Sequence, residues 1–338
     1  MANLLLTEKC VRSCPYCFAK QYMDGTEDSS AITWENIKYV ADFLERSNIR
    51  QISLLGGEPL IHHQAAEIIE HLMNRGFFVS VFTSGIMPNN MMERFVRKIL
   101  SIKDVHSEKL TLVVNVNEPR FSPKSELDKV HNFLSSLPSF CSLSFNIYRL
   151  DYNIDFLADY ILKFGIKRRV RFGIANPIPG SGNQYIHPKD FKIAKITLMD
   201  TLARFYELDI WPMFDCGFPL CMFTDDDLGK LYKYTRNNLT FDCSPSIDIG
   251  PNLDCWSCFP LSNCKKSLKE FQNYAEMISY FYKIHDQVRR EVSGIYLSCD
   301  TCKNRLKGIC SGGCLAHIVN NFHQEGLFRN NYINELTL

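Results

Sequence analysis

Along the first half of the chain, short and nearly uninterrupted apolar runs alternate with longer segments whose apolar positions recur every three or four residues. Leu4–Leu6, Gln51–Leu55, Phe77–Phe82, Leu110–Val116, Leu143–Tyr148 and Val170–Ile174 predict six strands. Between them, Ile37, Val40, Ala41 and Leu44 fall at i, i+3, i+4 and i+7, which lines one face of a helix. Ala65, Ile68, Ile69 and Leu72 repeat that spacing, and Leu127, Val130, Leu134 and Leu137 follow it approximately. Met91–Leu100 and Ile154–Phe164 are also helix-like. Strands that are apolar on both faces belong in a parallel sheet covered by helices. Six units rather than eight predict an α/β fold built as an open, partial (β/α)6 TIM-like barrel. Active groups of such a barrel gather at the C-terminal ends of its strands.

The alternation breaks at Asn176-Pro177-Ile178-Pro179-Gly180-Ser181-Gly182, a turn-rich linker. A helical stretch of roughly Pro188–Leu208 follows. Beyond Asp215 come short segments dense in cysteine, interrupted by one predicted helix at about Leu268–Val292. The expected organisation is a barrel core over 1–182, a helical bridging region over 183–240 and a small cysteine-rich metal-cluster unit over 241–338. Cys216 and Cys221 are candidates to join that last unit, which reads as too irregular to fold without metal.

Composition narrows the function classes. Among 338 residues, 38 Lys plus Arg nearly cancel 37 Asp plus Glu, so nothing calls for nucleic acid or an anionic membrane as partner. The cluster Lys167-Arg168-Arg169 reads as a solvated edge. The opening MANLLLTEK is too short an apolar run for a signal peptide, and no stretch approaches membrane-spanning length, so the expected location is the cytoplasm. In a chain of this size without a secretion signal, fourteen cysteines point to metal or redox use rather than disulfides. They fall in groups: three near the start, ten between Cys216 and Cys314, and a lone Cys141 expected to be a small buried hydrophobe.

The first group, Cys10, Cys14 and Cys17 in EKCVRSCPYCFA, follows the first predicted strand directly. Three thiolates serve a four-iron cluster one ligand short, and an open position is what separates catalytic from structural metal sites. At the end of the second strand stands Gly56-Gly57-Glu58-Pro59, whose glycines allow a ligand close to the backbone. The CxxxCxxC spacing, with Tyr16 before its last cysteine, and the GGEP that follows resemble the signature of radical S-adenosylmethionine (SAM) enzymes. The resemblance covers roughly residues 1–180. It implies a 4Fe–4S cluster on Cys10, Cys14 and Cys17 that binds SAM through its open iron. It also implies that Glu58 or the backbone carbonyls beside it accept hydrogen bonds from the SAM amino group. Polar residues at later strand tips, with Ser84, Asn117 and Asn146 as candidates, would contact the rest of the cofactor.

Further along stand Cys299-Asp-Thr-Cys302 and Cys310-Ser-Gly-Gly-Cys314, a pattern that a structural zinc site also uses. Upstream lie Cys243, Gly250, Cys255 and Cys258, with Cys216, Cys221 and Cys264 nearby. Over about 215–320 this resembles the SPASM domain, the auxiliary-cluster domain of many peptide-modifying radical SAM enzymes. The match departs from that family in three ways. Seven residues separate Cys302 and Cys310 where the family has five, the loop before Gly250 is short, and no cysteine follows Cys314, with His317 and His323 the remaining soft donors. Carried over, Cys243, Cys255 or Cys258, and Cys314 would serve one cluster, and Cys299, Cys302 and Cys310 another. Cys216, Cys221 or Cys264 would supply the fourth ligands, or one iron would stay open. One or two auxiliary 4Fe–4S clusters follow, two being favoured over a single twitch-type cluster.

The function implied is reductive cleavage of SAM to a 5′-deoxyadenosyl radical, which takes hydrogen from a peptide or protein side chain. The expected outcome is an oxidative change such as a crosslink in a ribosomally made peptide. Asp151 and Asp215 are candidate bases for deprotonating a substrate radical. A flavodoxin- or ferredoxin-type reductant is an expected partner. The chain opens on its first barrel strand, so a separate leader-peptide recognition protein is another. Sulfatase-maturase-type or tetrapyrrole chemistry is the alternative on the same scaffold. A non-enzymatic iron–sulfur or zinc protein is the alternative of another class; an electron carrier has no use for the GGEP site.

Overall fold

The computed structural model describes residues 2–20, 31–102, 108–178, 182–243, 246–291 and 294–324. Pro179, Gly180 and Ser181 of the expected linker, and Val292 at the expected end of the last long helix, lie outside those residues. Six parallel strands stand where the apolar runs are: β1 (Ala2–Thr7), β2 (Gln51–Gly56), β3 (Phe78–Thr83), β4 (Leu110–Asn115), β5 (Cys141–Ile147) and β6 (Arg169–Ile174). Each pairs in parallel with the next, Leu4 opposite Leu54 and Leu54 opposite Val81. The helices between them are α1 (Trp34–Arg46), α2 (Ala65–Asn74), α3 (Asn89–Ser101), α4 (Lys124–Ser136) and α5 (Phe156–Phe164). The fold is α/β with a mostly parallel sheet, as an open partial barrel requires.

Local chemistry sets the helix starts and faces. Thr33 caps α1, its side chain accepting from the Asn36 amide at 3.2 Å, and Ile37, Val40, Ala41 and Leu44 are fully buried as their spacing predicts. In α4 the buried face is Val130, Phe133 and Leu134; Leu127, which the sequence pattern placed on that face, is only half-buried, and Phe133, which the pattern left out, is buried there. Phe43, Phe77, Phe133, Phe145, Phe172 and Phe205 are among the large side chains that fill the layer between sheet and helices.

The sheet runs past both ends of the sequence-based barrel. After α6 (Phe191–Glu207), β7 (Trp211–Phe214) adds in parallel beside β6, inside the region expected to be helical. Next comes α7 (Asp225–Tyr234), started by a reciprocal cap in which Thr224 and Asp227 satisfy each other's backbone amides. Strand β8 (Ile247–Ile249) then returns to pair in parallel with β1. Strands β9 (Asp254–Ser257) and β10 (Lys266–Ser267) continue antiparallel outward from β8. The sheet therefore has ten strands in the order β10-β9-β8-β1-β2-β3-β4-β5-β6-β7, and the cysteine-rich segment is stitched to the barrel by backbone ladders. Strands of two to four residues carry too little pattern to be read from sequence. The long helix is α8 (Tyr274–Glu291), shorter at its start than expected because Leu268–Glu270 forms a single capped turn. The last helices are α9 (Lys303–Leu306) and α10 (Leu315–Gln324).

Candidate active site

The CxxxCxxC loop leaves β1 and is gripped from the side by the glycines at the end of β2. The Gly57 amide donates to Thr7 O at 2.9 Å and the Glu58 amide to Lys9 O at 2.8 Å. A Cβ at Gly56 would lie 2.2 Å from Thr7 O, and one at Gly57 would lie 2.2 Å from Lys9 O and 2.9 Å from the Cys10 Cβ. No side chain fits there, so the two glycines are needed for this close approach. Cys10, Cys14 and Cys17 stand together, turned by a bond from the Cys17 amide to Cys14 O at 3.1 Å. Burial, with lesser contributions from Glu58 and the other two thiols, pushes the Cys10 thiol up to about 11; burial also raises that of Cys14.

Glu58 is 1% exposed, and its carboxylate is used up within the protein. It accepts from the Leu60 amide, the Thr83 hydroxyl, and both the amide and hydroxyl of Ser84, tying the tip of β2 to the tip of β3. Burial raises its pKa despite those donors. Ser84 is thereby committed to Glu58, and Pro59 starts the buried turn Pro59–Ile61.

Tyr16, in the loop, joins the strand tips. Its hydroxyl donates to Asn117 Oδ1 at 2.6 Å and accepts from Asn115 Nδ2 at 2.9 Å, and Asn146 Nδ2 donates to Asn115 Oδ1 at 3.1 Å. Burial pushes the Tyr16 phenol up, so it stays protonated as a donor. Sequence reasoning missed Asn115 and Arg12. Arg12 spans from the loop to Glu126 (3.1 Å) and Asn115 O (3.2 Å), with its side chain 5% exposed. A charged residue inside a cysteine loop was the available signal.

The two candidate bases part company. Asp151 lies on the surface, 61% exposed in its side chain and ion-paired with Arg149 and Arg120; the hydrogen bond from Arg149, helped by both charges, holds its carboxyl below the usual range. Asp215 follows β7 and is ion-paired with Arg171 of β6. A Cβ at Gly173 would lie 2.7 Å from Asn146 Oδ1 and 3.8 Å from Asp215 Oδ2, so the missing side chain lets β5, β6 and β7 converge here.

The later cysteines gather in two sets of four. Cys216, directly after Asp215, has Cys243, Cys258 and Cys314 close enough for their charges to act on it. Desolvation and these neighbours push Cys216 well up, and Cys314 to about 12. Gly217, at φ +111°, puts this set against the barrel mouth, its Cβ position 3.8 Å from the Cys314 Cβ and 3.9 Å from Asn176 Oδ1. The second set is Cys221, Cys299, Cys302 and Cys310, which line one cavity with Ile295 and Arg305. Burial pushes Cys221 up to about 11. Thiols held protonated in this way release protons when a metal takes them.

Sequence spacing left Cys255 and Cys258 as equals, and the structure separates them. Cys255 is fully buried within β9, and the charges that reach it are the Asp254 and Asp248 carboxylates. Cys258 stands just past β9 at φ +52°, ψ +155°, a conformation that a non-glycine residue holds only when its surroundings force it, and it faces Cys243 and Cys314. Cys216, named only as a possible contributor, stands in the first set. The pKa of Cys264 is raised by burial alone, and Cys141 is buried in β5. His317 packs edge-on against Tyr185 and Phe191; the His323 side chain lies outside the described residues. Among the described residues no group of His, Cys, Asp or Glu is arranged to hold a single metal ion. Sets of three and four thiols are what polynuclear clusters use, where each iron takes its own thiolate. Donor type, number and the glycine cradle therefore fit an iron–sulfur cluster with a ligand beside it.

Fold and site together define a radical SAM domain: residues 4–119 match the Radical SAM superfamily. Such a domain implies a 4Fe–4S cluster with SAM. Of characterised relatives, the chain is 30% identical over 116 residues to an S-adenosylmethionine-dependent nucleotide dehydratase of Selenomonas ruminantium, a match covering 32% of this chain and 40% of that protein. Among solved structures it is similar to Streptococcus suis SuiB bound to precursor peptide SuiA (TM-score 0.63, 14% identity, 93% of this chain and 72% of that one). It is likewise similar to anSMEcpe with bound AdoMet and Kp18Cys peptide (TM-score 0.62, 12% identity, 98% and 97%). At these identities the likeness shows the fold. No helix among the described residues is long and apolar enough to cross a membrane.

Proposed function

We propose that the protein is a peptide- or protein-modifying radical SAM enzyme with two auxiliary 4Fe–4S clusters, giving an oxidised product such as a crosslink. The observation that carries this is the pair of four-thiol sets, the first of which abuts the mouth of the barrel beside the CxxxCxxC loop. Cys10, Cys14 and Cys17 would hold the SAM-binding cluster. Cys216, Cys243, Cys258 and Cys314 would hold one auxiliary cluster, and Cys221, Cys299, Cys302 and Cys310 the other. When bound, the reduced cluster with SAM supplies the power to abstract a hydrogen atom from an unactivated carbon.

The chain's own part is to bind, orient and accept. The backbone at Gly56 and Gly57 would meet the amino group of SAM. The Tyr16–Asn117–Asn115–Asn146 network fixes the polar surface on which the rest of the cofactor would lie. Asp215, ion-paired with Arg171, is the group we propose takes the substrate's proton. It lies between the tips of β5 and β6 and the first auxiliary set, so the proton and the electron left on the substrate would have acceptors on one side. A peptide substrate is supported by the two solved structures, which carry a precursor peptide and a Kp18Cys peptide. We propose residues 1–182 as the barrel core and 241–338, with Cys216 and Cys221, as the auxiliary unit. A flavodoxin- or ferredoxin-type reductant would supply the electron.

The test is iron per chain and 5′-deoxyadenosine formation after anaerobic reconstitution. The Cys10/Cys14/Cys17→Ala variant is expected to keep about eight irons, four per auxiliary cluster, and to form no 5′-deoxyadenosine. About four irons would reduce the proposal to a single auxiliary cluster. Zinc in place of iron, or SAM cleavage that persists in the variant, would overturn it.

A further inference from the structure

Helix α8 buries Met277, Phe281, Ile284 and Val288, and two polar side chains, His285 and Arg289, interrupt that apolar face one turn apart. Both point at the first thiol set. His285 Nε2 lies 3.6 Å from Cys243 Sγ. A thiolate has no proton to give, so in the metal-bound state the hydrogen of that contact belongs to the imidazole. The Arg289 charge acts on the Cys314 thiol, and its Nη2 donates to Gly313 O, the residue before Cys314, at 2.6 Å.

Arg289 is 9% exposed, yet its Nε and Nη1 have no hydrogen-bond partner among the described residues. No carboxylate among those residues forms an ion pair with it. Asp215, the carboxylate that also acts on Cys314, is bound to Arg171. A buried guanidinium with two idle donors and no counter-charge is costly unless an anion sits beside it. An iron–sulfur cluster on four thiolates is such an anion, and hydrogen bonds and positive charge near its sulfurs raise its reduction potential.

We propose that His285 and Arg289 are positioning residues for the auxiliary cluster of Cys216, Cys243, Cys258 and Cys314, giving it N–H donors and a counter-charge that raise its potential and suit it to accept an electron. This rests on the assignment of that set in the preceding section.

The experiment isolates the set in the full-length chain by changing Cys10, Cys14, Cys17, Cys299 and Cys302 to Ala. The reduced cluster is then titrated by electron paramagnetic resonance, with dithionite and mediators. Arg289→Met and His285→Phe are each expected to keep their iron but to shift the oxidised-to-reduced ratio at least tenfold toward oxidised, about 59 mV for a one-electron couple. Arg289→Lys is expected to recover most of that shift. Iron retained with ratios inside twofold for both variants overturns the inference and leaves the cluster assignment standing. No iron in the isolated set overturns the assignment and the inference with it. If Arg289→Met does not fold, the unsubstituted protein decides. Labelling histidine with 15N must then alter the spin-echo modulation of the reduced cluster, and an unchanged spectrum overturns the inference.

Discussion

Replacing Gly57 with Ala tests whether the end of β2 positions the CxxxCxxC loop. The added Cβ would sit 2.2 Å from Lys9 O, 2.5 Å from Lys9 C and 2.9 Å from the Cys10 Cβ, where ordinary contacts begin at 3.4 Å. Two of those atoms are backbone, so no rotamer relieves the clash and the loop must retreat by about an ångström. The bonds from the Gly57 amide to Thr7 O and from the Glu58 amide to Lys9 O stretch with it. Overpacking of this kind costs about 1–3 kcal/mol, which lowers the unfolding temperature of a chain this long by only a few degrees. Function should suffer far more, because misplacement by about 1 Å can lower a rate by about 100-fold. The assay is 5′-deoxyadenosine formation together with iron content and thermal unfolding. The expected result is a loss of roughly 100-fold or more in a folded protein. Gly229→Ala, in α7 with nothing within 4 Å of its Cβ position, is the control; it should gain about 0.5–1 kcal/mol of stability and keep full activity. A Gly57→Ala protein that loads iron and cleaves SAM within a few-fold of the parent would refute the reasoning.

Three further outcomes are expected. Cys258→Ala should remove about four irons per chain, the content of one cubane, whereas Cys255→Ala should remove none; iron analysis of the two side by side decides between them. Asp151→Asn should leave turnover unchanged, since its exposed carboxylate serves Arg149 and Arg120, while Asp215→Asn should slow product formation more than SAM cleavage; equal losses in both would remove Asp215 from its role. Asp248, fully buried on β8 and accepting from Asn3 at 2.8 Å, has its pKa raised from 3.8 to about 7 by desolvation. Its raised value favours the folded state below about pH 4, and that advantage is lost as pH rises through 7. The loss amounts to at most about 4 kcal/mol at 1.36 kcal/mol per unit. Asp248→Asn should therefore flatten the pH dependence of chemical denaturation and stabilise the protein at pH 8; an unchanged profile would contradict it.

The alternation of apolar runs with helical periodicity placed β1 to β6 and α1 to α5 within a few residues, because each is long enough to show its own period. The sequence also exposed the three-thiol loop and the glycines after β2, since chemistry concentrated in a few adjacent residues needs no tertiary information. Tertiary structure decided whatever depends on which distant segments meet. Strand β7 and strands β8–β10 are too short to announce themselves, and they become strands only by pairing, β7 with β6, β8 with β1, and β9 and β10 in turn outward from β8. Cys216 and Cys258 join Cys243 and Cys314 across separations of 15 to 98 positions, while Cys255 stays buried within β9 and Cys258, just past its end, leaves the strand at φ +52°. Glu58 looked like a ligand contact and is a buried carboxylate spent on Thr83 and Ser84. His285 and Arg289 carried no motif at all. Only the packing of α8 against the thiol set shows that two polar residues on an apolar face have an anion's place to fill.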